Sequence, residues 1–221
     1  MNILLLGPPG AGKGTQGERV AKRLGVPKVA TGDVLRAAVR EGTGMGLAAK
    51  GFMDRGALVP DDVILGIVKE ALAAPAMSRG VVLDGVVRTV PQAEGLHRAF
   101  GDLGRSLDCV LLFEIADDEV VRRLGGRTVC EKCQTPYTGM APGDPCPKPG
   151  CGGRLVRRKD DEPEAIRTRM RAYREQTEPV VAWYDASETQ VVRVDAVGEM
   201  DEVTRRVLEA LERCRPGGNA G

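Results

Sequence analysis

A chain of 221 residues with 42% hydrophobic content is expected to fold as one globular unit with room for inserted subdomains. The formal net charge of +1 provides no basic surplus for binding nucleic acid, so we expect no nucleic-acid partner. There is no apolar run of about eighteen residues and no secretion signal, so we expect no membrane contact and a cytoplasmic location.

The N-terminal segment has the pattern of a buried strand followed by a phosphate-binding loop. An unbroken apolar run over residues 3–6 ends at Gly7, as expected for a strand covered on both faces of a parallel sheet. Gly10 and Gly12 follow, and their lack of a side chain lets the backbone wrap closely around an anion. A helix beginning near Lys13 would point free N–H groups at phosphate, and the ammonium group adds a full charge for β- and γ-phosphate oxygens.

The residue after Lys13 changes the expected metal chemistry. Phosphate loops of this spacing generally carry Ser or Thr there, but this chain has Gly14, with a hydroxyl one residue later at Thr15. A hydroxyl at residue 14 would bind magnesium directly. We therefore expect the metal to be held through water and by a carboxylate elsewhere in the chain.

A second motif, Thr-Gly-Asp-Val-Leu-Arg, occupies residues 31–36, with Thr31 as a candidate helix N-cap. Together with the loop motif at residues 7–16, it resembles the adenylate kinase family, in which the second motif opens the AMP-binding subdomain. The resemblance extends over about residues 1–213. Residues 215–221 are expected to form a disordered tail.

The resemblance implies an α/β fold, with a doubly wound, parallel, five-stranded P-loop sheet flanked by helices. The core domain would comprise residues 1–29, 61–124 and 162–221, the NMP-binding insertion residues 30–60, and the lid insertion residues 125–161. It also implies the reaction, which converts MgATP and AMP into two ADP. The enzyme is expected to be a monomer.

The implied substrate sites follow from the positions that match the family's motifs. The ATP site would consist of Gly10, Ala11, Gly12, Lys13, Gly14, Thr15, Arg123 and Arg127. The AMP site would consist of Thr31, Arg36, Leu58, Val59, Gly85, Arg88, Gln92, Arg158 and Arg169. The catalytic groups would be Lys13, Arg88, Arg123, Arg127, Arg158 and Arg169.

A second buried strand, at residues 80–84, ends in Asp84, where the carboxyl end of a parallel strand would meet the phosphate loop. Asp84 resembles the family's carboxylate that orders the waters of magnesium. Beyond it, Val86 and Val87 replace the family's usual Phe-Pro pair. A cis bond before a residue other than proline costs about 2.5–4 kcal/mol, so the turn should relax to trans or be strained, displacing Arg88. The alternative is that the valines pack well and the long Arg88 side chain still reaches the AMP phosphate.

Four of the six cysteines lie in two close pairs: Cys130, Cys133, Cys146 and Cys151. Four thiolates suit a tetrahedral, structural zinc ion with no position open for chemistry, and their thiols should stay unreactive until a chelator is added. The second pair is separated by four residues where the family's zinc-containing members usually have two, so free thiols remain the alternative. Cys109, in the apolar run 109–113, is expected to be a small buried hydrophobe.

Two other functions remain open. Within the same fold the acceptor could be UMP or CMP, although Thr31 and Gln92 are not typical of the pyrimidine enzymes. In a different class, the chain could be a non-catalytic nucleotide sensor whose cysteine module binds RNA or protein. That module has one aromatic residue, Tyr137, whereas platforms for single-stranded nucleic acid use several. The single histidine, His97, is expected to be a surface residue and not a catalyst.

Overall fold

The computed structural model describes residues 1–214 and places helices on both faces of a central parallel sheet. The strands are β1 (Asn2–Leu6), β2 (Lys28–Ala30), β3 (Val81–Asp84), β4 (Cys109–Glu114), β5 (Arg127–Cys130), β6 (Pro136–Thr138), β7 (Leu155–Val156) and β8 (Gln190–Asp195). The helices are α1 (Lys13–Leu24), α2 (Thr31–Glu41), α3 (Gly44–Asp54), α4 (Asp61–Ala73), α5 (Val90–Asp102), α6 (Asp117–Gly125), α7 (Pro163–Ala172), α8 (Glu178–Asp185) and α9 (Met200–Arg213). The tail predicted for residues 215–221 lies outside the described residues.

The main sheet has the strand order β2-β3-β1-β4-β8, and all its neighbouring strands run parallel. In this register Leu5 pairs with Asp84 and Leu6 pairs with Leu112. The phosphate loop that follows β1 and the carboxylate that ends β3 therefore lie at the same edge of the sheet. This edge is where open parallel sheets bind ligands.

Alternate residues of β1 face two separate cores. Leu4 and Leu6 pack in a cluster with residues of α4, α5 and α8, whereas Ile3 and Leu5 pack with residues of α1 and α9. Burial on both faces explains why the strand is apolar at every position. The expected doubly wound α/β sheet is confirmed.

Two smaller units flank the edge of the main sheet where the phosphate loop and Asp84 lie. The first contains α2 and α3, which pack so closely that a Cβ at Gly46 would lie 2.1 Å from the carbonyl oxygen of Ala38. The second is an antiparallel sheet with the order β6-β5-β7, between α6 and α7. A π turn over Tyr173–Thr177 then connects α7 to α8, just before Pro179.

Three expectations from the sequence need correction. Thr31 begins α2 but does not cap it, because Ala30 precedes the helix and the Thr31 hydroxyl donates to the carbonyl of Gly85 at 2.7 Å. Cys109 is not a free thiol, because a disulfide joins it to Cys214 beyond the end of α9. His97 is half-buried, and its ring packs edge-on against Trp183 with a centroid distance of 5.2 Å.

No helix within residues 1–214 is long and apolar enough to cross a membrane.

Candidate active site

A cleft of about 1000 Å³ opens at the carboxyl edge of the main sheet. Most of the predicted substrate residues line it: Gly10, Ala11, Gly12, Lys13, Gly14, Thr15, Arg36, Leu58, Asp84, Gly85, Arg88, Arg123, Arg127, Arg158 and Arg169. Thr31, Val59 and Gln92 are buried behind this lining. The fold thus gathers into one cavity residues that lie more than a hundred positions apart in the chain.

The floor of the cleft is the loop between β1 and α1. Gly7 has a φ of 139°, and a Cβ there would lie 2.5 Å from the carbonyl oxygen of Phe113, so another residue would clash with β4. Helix α1 begins directly at Lys13, after Gly12, and carries no acidic residue in its first turn. Its free N–H groups and dipole therefore favour an anion at this end of the cleft.

Two groups of opposite charge, Lys13 and Asp84, lie beside the loop. The Lys13 ammonium donates to the carbonyl oxygens of Gly7 and Pro8, each at 2.7 Å. Burial lowers the pKa of Lys13 to about 8, against the opposing effect of Asp84, so the group is mostly protonated at pH 7. A Cβ at residue 14 would lie 3.4 Å from Oδ2 of Asp84, so this carboxylate reaches the place where other phosphate loops have a hydroxyl. The oxygen donors present fit a magnesium ion bound beside the loop.

The walls of the cleft are strongly basic. The six predicted arginines among its lining come from α2, the segment after β3, α6, the unit of the antiparallel sheet and α7: Arg36, Arg88, Arg123, Arg127, Arg158 and Arg169. Burial, followed by the charges of Arg36 and Arg127, lowers the pKa of Arg158 to about 10. The Arg158 Nε atom is buried and has no hydrogen-bond partner among residues 1–214. A cluster of positive charge of this size favours a polyanionic ligand.

Two neighbouring carboxylates, which the sequence reasoning missed as site residues, hold part of this arginine cluster in place. Asp161 is fully buried and accepts two hydrogen bonds from Arg127, at 2.6 and 2.7 Å. It also accepts one from Arg169 at 2.9 Å, and Asp160 accepts another from the same guanidinium at 3.2 Å. The signal was the Arg-Arg-Lys-Asp-Asp run at residues 157–161, which contains both carboxylates. A bidentate pair fixes the plane of a guanidinium group, so these residues preorganise the wall.

The segment that departs from the family pattern keeps its arginine in the cleft. No cis peptide bond occurs within residues 1–214, so the Val86–Val87 turn is trans, and both valines are buried. The backbone N–H of Arg88 donates to Gln92 Oε1 at 2.7 Å, and its carbonyl accepts from the Thr177 hydroxyl at 2.9 Å. Enclosure in the cleft, followed by the charge of Arg169, lowers the pKa of Arg88 to about 10, although the side chain keeps solvent contact. Arg88 therefore still lines the cleft, while its aim at the AMP phosphate stays a prediction.

Restoring the family's Phe-Pro pair should therefore have little effect on the KM for AMP. We expect the double substitution Val86→Phe with Val87→Pro to change the KM for AMP by no more than about threefold, under ~0.7 kcal/mol, since Arg88 is already held in the cleft. Steady-state kinetics with both substrates measure this, and the KM for ATP is the internal control. A KM for AMP that falls by an order of magnitude would show that the valines leave Arg88 wrongly aimed.

Gln92 is oriented by a carboxylate that the sequence reasoning did not select. Its Nε2 donates to Asp61 Oδ1 at 2.7 Å, while the other oxygen of Asp61 accepts from the Thr89 hydroxyl at 3.1 Å. Thr89 also caps α5 by accepting from the Gln92 backbone N–H. These bonds lie just behind the cleft surface and fix the segment that carries Arg88.

The four clustered cysteines form a second feature, on the antiparallel sheet. Their sulfur atoms all lie within 4.8 Å of one another, with Cys130–Cys151 at 3.5 Å and Cys133–Cys146 at 3.7 Å. A tetrahedral zinc site with Zn–S bonds of about 2.3 Å needs sulfur separations of about 3.8 Å, so the donor set fits the metal. A Cβ at Gly153 would lie 2.5 Å from the sulfur of Cys130, so this glycine leaves the room that the sulfur needs. The Thr135 hydroxyl lowers the pKa of Cys133 to about 6, which favours a thiolate.

The disulfide and the four-cysteine cluster together predict the number of thiols that react in each state of the protein. Metal-loaded protein should contain one zinc ion per chain and no reactive thiol, because Cys109 and Cys214 are bonded to each other and the other four would be metal ligands. A chelator should expose four thiols, and a denaturant with a reductant six, as measured by elemental analysis with thiol titration. Stripping the metal should lower thermal stability before activity, because most of the predicted catalytic residues lie outside residues 125–161. Six reactive thiols in a stable, metal-free protein would contradict the prediction.

The chain was compared with known proteins. A family model described as Adenylate kinase matches residues 5–189. The chain is 66% identical over 211 residues to the Adenylate kinase of Gemmatimonas aurantiaca, an alignment that covers 96% of this chain and 99% of that protein. It is 46% identical over 215 residues to the Adenylate kinase of Syntrophotalea carbinolica, covering 96% and 98%, and 42% identical over 217 residues to that of Methanosarcina barkeri, covering 96% and 99%.

The matches span both the phosphate loop and the segments that supply the arginines of the cleft. The five-stranded parallel sheet flanked by helices is consistent with the fold of that family. The chain belongs to the adenylate kinase family.

Proposed function

We propose that this chain catalyses reversible phosphoryl transfer from MgATP to AMP, giving two ADP. The observation that carries the proposal is the convergence of a phosphate loop, a carboxylate and arginines from five segments on one cleft of about 1000 Å³. A cleft that holds two nucleotides end to end needs charge-neutralising groups along its whole length. Family membership supports the choice of adenine nucleotides.

The donor side of the cleft would be formed by the loop and by the arginines of α6 and β5. The backbone of residues 10–15 would bind the ATP phosphates, with Lys13 on the β- and γ-oxygens and Arg123 and Arg127 beside them. Asp84 would hold magnesium through water. When bound, that ion neutralises negative charge on the phosphates.

The acceptor side would be formed by α2 and the segment after β3. Arg36 and Arg88 would bind the AMP phosphate, together with Arg158 and Arg169 from the opposite wall. Leu58, Val59 and Gly85 would contact AMP through their backbone, and Thr31 and Gln92 would complete the base site from behind. In this structure, Arg36 is paired with Asp33 at 2.5 Å, so this carboxylate holds the guanidinium until phosphate displaces it.

The chemistry needs alignment and charge neutralisation more than covalent steps. The attacking AMP oxygen and the leaving ADP oxygen must lie in line about the transferred phosphoryl group, whose charge Lys13 and the arginines neutralise. Because water is a competing acceptor, residues 125–161 would close over the cleft as a lid before transfer. Residues 30–60 would form the NMP-binding unit, and the residues outside these two units would form the core.

We further propose that the four cysteines bind zinc as a structural ion. The lid has little apolar core, and a metal cross-link would hold its shape. The enzyme would act in the cytoplasm as a monomer, with ATP, AMP and ADP as its ligands and no nucleic-acid or membrane partner.

A coupled assay with ATP and each of AMP, UMP, CMP and GMP tests the proposal. We expect the highest kcat/KM with AMP. Equal or faster turnover of UMP or CMP would identify a pyrimidine nucleotide kinase. No turnover of any acceptor, together with measurable ATP binding, would identify a nucleotide sensor.

A further inference from the structure

The cysteine cluster is surrounded by hydrogen-bond donors as well as by its own sulfurs. The Thr135 hydroxyl lies 3.3 Å from the sulfur of Cys133, and the Tyr137 hydroxyl lies 3.3 Å from the sulfur of Cys146. The backbone N–H of Cys133 donates to the sulfur of Cys130 at 3.4 Å. Four thiolates on one divalent ion leave a net negative charge, and such donors stabilise it.

The two hydroxyls come from one short stretch of chain that also borders the cleft. Thr135 directly precedes β6 and Tyr137 lies within it, two positions apart, so both side chains leave the strand on the same face. Residues 133–138 line the nucleotide cleft as well. β5 pairs with β6, with Thr128 opposite Tyr137, next to the position of Arg127. One strand therefore contacts both the cysteine cluster and the substrate cavity.

We propose that Tyr137 is a positioning residue that couples the metal site to the nucleotide cleft by donating a hydrogen bond from its hydroxyl to the Cys146 thiolate. A metal-bound thiolate has no proton, so the phenol must be the donor in this bond. The bond fixes a half-buried ring whose residue borders the cleft. Metal loading would in this way set the shape of the cleft wall at β6.

Coupling of this kind is reciprocal, because a metal that favours one arrangement of Tyr137 must raise the affinity of a nucleotide that prefers the same arrangement. Thr135 serves as the comparison for Tyr137, because its hydroxyl also lies near a sulfur of the cluster but belongs to a shorter side chain. The inference rests on the proposed function for the identity of the nucleotide. Its metal measurements need no catalysis, so they can fail or succeed independently of the reaction.

The first test uses the cobalt-substituted protein, in which sulfur-to-cobalt charge-transfer bands report on the thiolates. We expect Tyr137→Phe to shift these bands and to lower metal affinity about 10- to 100-fold in a chelator competition. Tyr173→Phe is the matched control, because Tyr173 also lines the cleft but makes no hydrogen bond to a cysteine among residues 1–214. Unchanged bands and unchanged metal affinity in Tyr137→Phe would overturn the proposal.

The second test measures the coupling itself by calorimetric titration with magnesium-saturated ATP. Removing zinc should weaken ATP binding about fivefold or more in the unsubstituted protein and in Thr135→Val, but have much less effect in Tyr137→Phe. An equal loss in all three would show that the metal acts on the cleft through the lid fold and not through Tyr137. If Tyr137→Phe does not fold, the near-ultraviolet tyrosine signal of the unsubstituted protein decides the question. It should change on metal loading, and a constant signal would overturn the proposal.

Discussion

Replacing Lys13 by Met is expected to slow phosphoryl transfer by about 100- to 1,000-fold while leaving the fold intact. The Lys13 ammonium lies over the phosphate loop, 2.7 Å from two of its carbonyl oxygens, and no carboxylate within residues 1–214 forms an ion pair with it. Its charge is therefore free to act on the transferred phosphoryl group, where negative charge moves during the reaction. Single-turnover kinetics separate this step from binding and product release.

Lys22→Met is the matched control for this substitution. Lys22 lies in the last turn of the same helix, exposed and away from the cleft, so its removal changes the net charge by the same amount. We expect its transfer rate to be close to that of the unsubstituted protein. A similar slowing in both variants would show that net charge, and not the position of Lys13, limits the rate.

Reduction of the Cys109–Cys214 disulfide is expected to lower the free energy of unfolding by about 4–5 kcal/mol, because the bond closes a loop of about 100 residues. The two cysteines are 105 positions apart and both are buried, where the bond joins β4 to the end of α9. For a chain of this length, the loss corresponds to a fall of about 10–20 °C in Tm. Denaturant unfolding of air-oxidised protein, with and without a reductant, measures the difference.

The double variant Cys109→Ala with Cys214→Ala should unfold at the same denaturant concentration with or without the reductant. It controls for any effect of the reductant on the four lid cysteines. Because the cytoplasm keeps most thiols reduced, the bond is also expected to depend on how the protein is prepared. A reductant that leaves the unfolding midpoint of the oxidised, unsubstituted protein unchanged would contradict the prediction.

The order of the first strands and helices and the chemistry of the cleft floor could be predicted from the sequence, because they depend on patterns of adjacent residues. The apolar run before Gly7, the start of α1 at Lys13 and the carboxylate at the end of β3 are each set by a few adjacent residues. Parallel pairing then brings the carboxyl ends of the strands to one edge of the sheet. The proximity of the phosphate loop and Asp84 could therefore be predicted from the sequence alone.

Contacts between distant segments could not be predicted in the same way. The bond between Cys109 and Cys214 depends on how α9 packs against β4, and a strand cysteine alone gives no sign of a partner. The support of the Arg88 backbone could not be predicted from the turn geometry alone. The Arg88 backbone N–H donates to Gln92, four residues on in α5, but its carbonyl accepts from Thr177 in the π turn, 89 positions away.

The proposed reaction transfers a phosphoryl group from ATP to AMP within a cleft that excludes water. Phosphorus NMR of a reaction with MgATP and AMP tests it directly, because it resolves ADP and inorganic phosphate in one sample. We predict two ADP formed for each ATP consumed, with no accumulation of inorganic phosphate. Release of inorganic phosphate from ATP, with AMP left unchanged, would contradict the account.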